Sequence, residues 1–367
     1  MTSPGVAYLV YGDGIEQLQP DEDELTEKIL ASMLRVNRSV CDRHRHGVRD
    51  AHAKSHGIVK GELVVPADLP AHLRQGLFAK AGSYPVIVRF STAPGDLQSD
   101  RVPSPRGMAI KVLGLDGDKL LPDDDTRNQD LLLVNHPVIP FGHVKAYWDT
   151  QQLLEKSDGS PESLLRFAAA LARGATQLLK AAHIDVPASI EAIGTTNHHI
   201  LGETFHSMAA LRFGEYVAKL SAAPRSESVR ALTGQALPAD HTDSALRDLV
   251  VAHFATQGAE YELRAQLSIG LEAMPVEDAS VVWEEDASPH QVVGKIVIPA
   301  QAAYSDARRV YGDDVLSFSP WRGLAAHRPL GSIMRIRRAA YEQSSRSRHA
   351  MNLAPRTEPR EISELPD

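Results

Sequence analysis

Residues 49–65 read RDAHAKSHGIVKGELVV, and their second half gives the first indication of the fold. From Gly57 onward, Val, Ile and Leu cluster between small and charged residues, which is typical of a β-strand. Further runs of this kind follow, separated by turns rich in Gly, Pro and Asp. They are YPVIVRFS (84–91), GMAIKVLGL (107–115) and DLLLVN (130–135). The first half of the chain is therefore predicted to build a sheet.

Strand-like runs resume after residue 200, and helical patterns lie around them. The later runs are AALRFGEYVAKLSA (209–222), EYELRAQLSIGLE (260–272), ASVVWEE (279–285) and QVVGKIVIP (291–299). Helical spacing of apolar residues marks 21–40 and 161–182, and arginine-rich helical sequence follows about 330. This combination predicts an α+β protein built on an antiparallel sheet or barrel.

The chain shows no internal repeat and no low-complexity linker, which indicates one compact unit. We predict an N-terminal arm or helix at 1–40 and a single domain at 41–354. Within it we expect a helical insertion at about 155–190 and a helix at about 330–350. The polar, proline-containing tail at 355–367 is expected to be frayed.

Composition restricts the functional class. The 367 residues are 43% apolar and 23% charged, as in soluble globular proteins, and the net charge of −8 argues against general nucleic-acid binding. No apolar run approaches the ~20 residues of a membrane span, and the N-terminus lacks the pattern of a signal peptide. The single cysteine, Cys41, fits a reducing interior. We therefore expect a cytoplasmic protein.

The arginine-rich segment RIRRAAYEQSSRSRH (335–349) places a phenol between cations. On a helix, Arg337, Tyr341 and Arg348 share one face. Guanidinium groups on this face would favour an ionised phenol. The alternative is a solvated basic helix with one packing tyrosine.

Histidines are dense in the segment CDRHRHGVRDAHAKSHG (41–57). Cys41, His44 and His46 make a loose set of metal-ligand types, but no standard zinc spacing is present and arginines flank the histidines. We interpret His44 and His46 as solvated surface residues, and a zinc site is the last alternative.

An ordered series of segments resembles the heme catalases. The first three are RDAHAK (49–54), VRFST (88–92) and PRGMAIK (105–111). The series continues with NQDLLLVNHPVIPF (128–141), VVWEEDASPHQVVGKIVIP (281–299), DDVLSFSPWRGLAAHRPLGSI (313–333) and RRAAYEQSSRSR (337–348). The resemblance covers about 45–350 and is nearest to the short members that lack a C-terminal flavodoxin-like domain. It implies a catalase-type antiparallel β-barrel with surrounding helices.

The resemblance also implies a cofactor, heme b, and roles for particular residues. Tyr341 would be the axial ligand of the heme iron, with Arg337 beside it. His52 would be the distal acid and base, and Ser91 its hydrogen-bond partner. His56 stands where the family has a small residue and is expected to be structural.

The heme propionates would be held by arginines, since guanidinium groups bind carboxylates with bidentate geometry. By resemblance these are Arg49, Arg89 and Arg348. The distal asparagine is placed at Asn128 by a one-residue shift, whereas an ungapped match puts Arg127 there. Phe141 corresponds to the phenylalanine near the distal heme face.

The implied activity is a reaction with hydrogen peroxide, either disproportionation or peroxidase turnover with an organic donor. One alternative is conversion of an organic hydroperoxide, of the allene oxide synthase or lyase type, on the same fold. Another is a catalytically weak heme-binding or storage protein. The family implies a homo-oligomer, a dimer or tetramer, and no residue here carries over NADPH binding.

Overall fold

The computed structural model describes residues 7–157, 197–238 and 240–367. Among these residues, nine strands form one antiparallel sheet. Their bounds are Lys54–Val65 (β1), Gly82–Thr92 (β2), Arg106–Val112 (β3), Gln129–Val134 (β4), Phe205–His206 (β5), Leu211–Phe213 (β6), Tyr216–Pro224 (β7), Ala259–Leu267 (β8) and Gln291–Ile298 (β9).

The sheet closes on itself. Its strands follow the order β5-β4-β3-β2-β1-β9-β8-β7-β6, and β5 pairs with β7 as well as with β4. These pairings make a closed barrel of eight strands, to which β6 is added as a short hairpin partner of β7. Closure pairs the strand edges that an open sheet would expose. The predicted α+β architecture with an antiparallel barrel is confirmed.

The pairing of β1 with β2 brings the ends of both strands to one rim. The register runs from Val65 opposite Gly82 to Lys54 opposite Thr92, with an irregularity between Ser55 and Gly57. The strands bury apolar side chains against each other, and the core aromatic Phe90 lies 6.4 Å from Phe205 between ring centroids. This packed interior supports the strands whose ends form the rim.

Three helices form a layer beside the barrel. They are α1 (Glu22–His44), α2 (Val144–Ser157) and a C-terminal helix, here called α6 (Ser332–Asn352). Apolar residues from all three pack into one cluster, which consists of Leu25, Ile29, Met33, Val144, Ile336 and Ala340. The shorter helices are α3 (Glu227–Arg230), α4 (Ala245–Phe254) and α5 (Asp306–Val310). In the described part of the chain, no helix is both long and apolar enough to cross a bilayer.

Two local predictions, a strand at 279–285 and a helical insertion at about 155–190, have different outcomes. The segment 279–285 was expected to be a strand but forms turns and irregular backbone, so that prediction was wrong. Its apolar run packs Ala279 and Trp283 into two separate clusters instead of pairing with a neighbouring strand. The helical insertion expected at about 155–190 falls largely on residues 158–196, which lie outside the described residues.

The C-terminal tail is docked on the barrel, which corrects the expectation of a frayed end. Leu365 is fully buried with Ile58, Ile87 and Leu316. Glu358 lies 2.9 Å from the buried ammonium of Lys111. The polar tail therefore includes a buried apolar residue, Leu365, and a carboxylate, Glu358, that forms ion pairs with both Lys111 and Arg322.

Leu365→Ala should destabilise the protein by about 2–3 kcal/mol, because it removes a fully buried side chain and leaves a cavity. Urea unfolding followed by far-UV circular dichroism measures this loss. Leu353→Ala is the matched control, since Leu353 is 94% exposed and should change stability by less than about 0.5 kcal/mol. Equal stabilities of the two variants would contradict the docked tail.

Candidate active site

The hydroxyl of Tyr341 on α6 is hydrogen-bonded to Arg337, which lies one helical turn earlier. Arg337 Nη2 donates to the Tyr341 hydroxyl oxygen at 2.6 Å, and the guanidinium carbon lies 5.1 Å from the ring centroid. The i,i+4 spacing of a helix brings these side chains together. A guanidinium that donates to a phenol oxygen stabilises negative charge on that oxygen. The shared helix face predicted from the sequence is therefore present for this pair.

His52 lies in the loop before β1 with an unusual backbone conformation. Its φ is 55°, in the left-handed region, and its backbone nitrogen donates to Ala93 O at 2.8 Å. Its side-chain Nδ1 lies 3.1 Å from Ser91 Oγ, as predicted for the pair. Gly107 of β3 faces this contact, where a Cβ would lie 2.5 Å from His52 Nδ1. Ser91 and Gly107 therefore restrict the position of the imidazole, and the Ala93 contact holds its backbone.

The electrostatic surroundings keep His52 neutral. Burial, followed by the charges of Arg89, Arg337 and Arg49, lowers the pKa of His52 to about 3. Arg337 thus acts on both His52 and Tyr341, because it donates to the phenol and repels a proton from the imidazole. This shared influence places the two side chains in one electrostatic environment.

Three arginines converge on the segment between α5 and α6. Arg89 donates to Asp313 Oδ1 from Nε at 3.1 Å and from Nη2 at 2.9 Å, and Arg49 Nη1 lies 3.3 Å from the same oxygen. Arg348 donates to the backbone oxygen of Asp313. The arginines matched to propionate ligands are therefore neighbours in the structure.

Backbone carbonyls complete this arginine cluster, defined as Arg49, Arg89 and Arg348. Arg49 and Arg348 both donate to the carbonyl oxygens of Asp313 and Leu316. Beside them, Ser344 Oγ donates to Asp50 Oδ1 at 2.6 Å. These contacts fix the loop that carries His52 to the helix that carries Tyr341.

The arginine cluster carries more positive charge than its bonded carboxylate offsets. Burial, with repulsion from Arg89 and Arg348, holds the pKa of Arg49 well below its usual value. Burial also lowers the pKa of Arg348 to about 10. For Asp313, burial opposes ionisation, but the charges of Arg89 and Arg49 outweigh it and lower the pKa. The charges of Asp314 and Asp50 also act on this cluster, through Arg49 and Arg348, so Asp313 is not its only source of negative charge.

Asn128 lies far from His52 in the structure. It precedes β4, where Gln129 pairs with Val112, whereas Gly107 beside His52 pairs with Val134 at the other end of the same strands. These ends are about 17 Å apart along the strand. Asn128 Nδ2 instead donates to Pro359 O at 2.9 Å, in the docked tail. The structure therefore places this residue away from the rim, contrary to the role expected for it.

Phe141 stacks on Tyr147 of α2, with ring centroids 4.5 Å apart and planes at 12°. Burial, followed by the charge of Asp50, raises the pKa of Tyr147, while Arg337 opposes the shift and Tyr341 adds to it. The aromatic pair is thus close to the tyrosine and arginine of α6.

The remaining histidines of the 41–57 segment have side-chain partners. His44 Nε2 lies 2.5 Å from Asp96, and His46 Nε2 lies 2.7 Å from Asp314, so neither is simply solvated. His56 is buried and contacts Thr92 Oγ1 at 2.5 Å. In the described residues, no group of three or more His, Cys, Asp or Glu side chains is arranged to hold a metal ion.

Sequence reasoning missed two residues at the site. Asp313 is separated from Arg89 by 224 residues, and nothing in its local sequence identifies it as their shared partner. Gly107 was quoted within a strand motif, but the need for a missing Cβ appears only when β3 lies against His52. A strand glycine next to a motif arginine is the signal that could have identified the second.

Comparisons with known proteins give a result at the level of the fold. No protein-family model and no curated protein matches the sequence. A fungal catalase structure matches with a TM-score of 0.57 at 18% identity, over 95% of this chain and 66% of that one. Catalase A from Saccharomyces cerevisiae matches with a TM-score of 0.55 at 17% identity, over 96% of this chain and 70% of that one. A bacterial catalase matches with a TM-score of 0.56 at 15% identity, over 94% and 64%.

The chain therefore has the catalase fold, as its sequence motifs predicted. It spans about two thirds of the length of the catalases it matches.

Proposed function

We propose that this chain is a heme-dependent oxidoreductase that reacts with hydrogen peroxide. The observation that carries the proposal is the position of Arg337, which donates to the Tyr341 oxygen at 2.6 Å and whose charge also helps to lower the pKa of His52. A cation-supported phenol and a neutral imidazole in one environment are the two protein groups this chemistry requires.

The residues present fit heme b. Tyr341 would ligate the iron, because its oxygen accepts from a guanidinium and can carry negative charge. The arginine cluster would hold the two propionates, since two of its guanidinium groups share the Asp313 carboxylate and the third, Arg348, is bonded only to backbone carbonyls. Among the described residues, Arg348 Nε is buried without a hydrogen-bond partner, so a donor remains for an added carboxylate.

When bound, heme would supply a redox-active iron at which the oxygen–oxygen bond of a peroxide is reduced. His52 would accept the proton of the peroxide and return it to the departing oxygen. Ser91 engages Nδ1, so Nε2 is the nitrogen that would exchange the proton. The neutral state of the buried imidazole allows it to begin as a base.

Gly107→Ala should lower the rate of peroxide consumption at least ~10-fold with heme content retained, since small displacements of a catalytic group are costly. The added Cβ would lie 2.5 Å from His52 Nδ1 and 2.9 Å from Ser91 Oγ, so one of them must move. Gly82→Ala is the control, because its Cβ would have no neighbour nearer than 3.7 Å. Full activity in Gly107→Ala would argue against this position of His52.

The function is tested by adding hemin to the purified chain and recording its absorption spectrum, followed by product analysis. We expect a Soret band of a tyrosinate-ligated heme and oxygen release from hydrogen peroxide. Peroxide consumed only with an organic donor would indicate the peroxidase form. Turnover of a lipid hydroperoxide without oxygen release would indicate the organic hydroperoxide reaction. A protein that binds no hemin would overturn the proposal.

Several family expectations remain predictions. These are the dimeric or tetrameric state, the cytoplasmic location and the bounds of the heme domain at 41–354. Sedimentation of the purified chain measures the first of them.

A further inference from the structure

Asp313 occupies the centre of the arginine cluster. It lies in a single π-helical turn, Tyr311–Val315, between α5 and the segment that leads to α6. Oδ1 accepts from both Arg89 and Arg49, and Oδ2 accepts from Ser55 Oγ at 2.7 Å. Both carboxylate oxygens are therefore engaged by groups of the barrel rim.

This carboxylate compensates charge that is removed from water. The side chain of Arg89 is 2% exposed and that of Asp313 is 19% exposed. A buried guanidinium without a nearby anion is strongly unfavourable, so the cluster needs negative charge whether or not a ligand is bound. Asp313 provides this charge from within the chain.

We propose that Asp313 is an internal counter-anion that weakens the affinity of the arginine cluster for the carboxylates of a tetrapyrrole ligand. This inference rests on the proposed function, because it concerns the same cluster and the propionates of heme. A carboxylate held among the arginines repels an incoming dianion and already uses guanidinium donors that the ligand would otherwise receive.

The substitution that isolates this effect is Asp313→Asn. The asparagine side chain has the same shape, and its carbonyl oxygen can still accept from Arg89, so the change is chiefly one of charge. Asp314→Asn is the matched control. Asp314 lies next in the chain but bonds to His46, at 2.7 Å, instead of to the arginine cluster.

The experiment titrates the full chain with hemin and with hemin dimethyl ester, and follows the Soret absorbance. The ester retains the iron but lacks both carboxylates, so it reports the contribution of Tyr341 without the propionates. We expect Asp313→Asn to bind hemin about 10-fold more tightly than the wild type, a change of about 1.4 kcal/mol, and to leave affinity for the ester unchanged. Asp314 is hydrogen-bonded to His46 and acts on Arg49 and Arg348 through its charge alone, so Asp314→Asn should alter hemin affinity by less than about threefold.

Two outcomes separate this inference from the proposed function. A wild type that binds neither hemin nor its ester would contradict the function itself. If the wild type binds hemin and Asp313→Asn binds it with equal or weaker affinity, only the proposed role of Asp313 is overturned.

If Asp313→Asn is unstable in the absence of ligand, its unfolding temperature with and without hemin tests the inference instead. Loss of the carboxylate leaves the arginines uncompensated, so hemin should raise the unfolding temperature of the variant more than that of the wild type. A variant that hemin does not restore to the folded state, at concentrations that saturate the wild type, would also overturn the inference.

Discussion

Tyr341→Phe should abolish heme retention through purification and remove the Soret band of a tyrosinate-ligated iron. The substitution deletes the oxygen that accepts from Arg337 at 2.6 Å and leaves the rest of the ring in place. It therefore removes the proposed iron ligand without a large change in packing. Absorption spectroscopy and pyridine-hemochrome analysis of protein purified after hemin addition measure the loss.

Tyr147→Phe is the matched control for this prediction. Tyr147 keeps its stacking on Phe141 through the ring, and its hydroxyl contacts only the sulfur of Met33, at 3.8 Å, among the hydrogen bonds of the described residues. This variant should retain heme. A Tyr341→Phe protein with the wild-type spectrum and heme content would exclude Tyr341 as the ligand.

His52→Ala should retain heme but lose peroxide reaction by about 10²–10⁴-fold, the range of a lost general acid and base. The imidazole is the group that Ser91 orients and that burial and Arg89 keep neutral. Stopped-flow mixing of the heme-loaded protein with hydrogen peroxide measures the rate directly. His44→Ala serves as the control, because His44 lies on the partly exposed helix end beside Asp96.

The backbone of His52 requires a second variant. Its φ of 55° is tolerated better by asparagine than by alanine, so His52→Asn preserves the loop while it removes the base. Both variants should react slowly at equal heme content. Wild-type rates in either of them would eliminate the proposed role of His52.

The lowered pKa of His52 predicts how the rate of the peroxide reaction depends on pH. Its pKa is lowered from 6.5 to about 3, so the neutral form dominates in the folded protein above that value. Protonation of His52 should then reduce the reaction only as the pH falls toward 3, and the rate should stay flat between about pH 5 and 8. A rate that falls with a midpoint near 6.5 would show that the imidazole is solvated.

Local sequence was sufficient for most of the barrel. Runs such as YPVIVRFS are rich in β-branched and aromatic residues, and its part VIVRFS is buried throughout, so strand character follows from residues within the run itself. The helix around Tyr341 was likewise predicted, because i,i+4 contacts are local. The strand prediction for 279–285 was wrong for the opposite reason, since Ala279 and Trp283 of this segment pack as loop residues in two separate clusters.

The candidate site could be predicted only in part. The order of the motifs predicted His52, Ser91 and Tyr341 as site residues. In the structure, the side chains of His52 and Ser91 are hydrogen-bonded to each other. Asn128 was selected by a shift of one residue in the same comparison, and the register of β4 places it at the far end of the barrel wall. Alignment by motif does not fix strand register, which depends on the pairing partner.

The sequence alone determined most of the strands, the α6 helix and the side chains with the required chemistry. The segment RDAHAKSHGIVKGELVV is an example, because its strand character, its arginine and its histidines can all be read locally. Tertiary structure alone decided that Asp313 meets Arg49 and Arg89, and that the tail carrying Leu365 is docked. The contacts of Asp313 with Arg49 and Arg89 join residues more than two hundred positions apart, where the tertiary fold, and no local propensity, selects the partner.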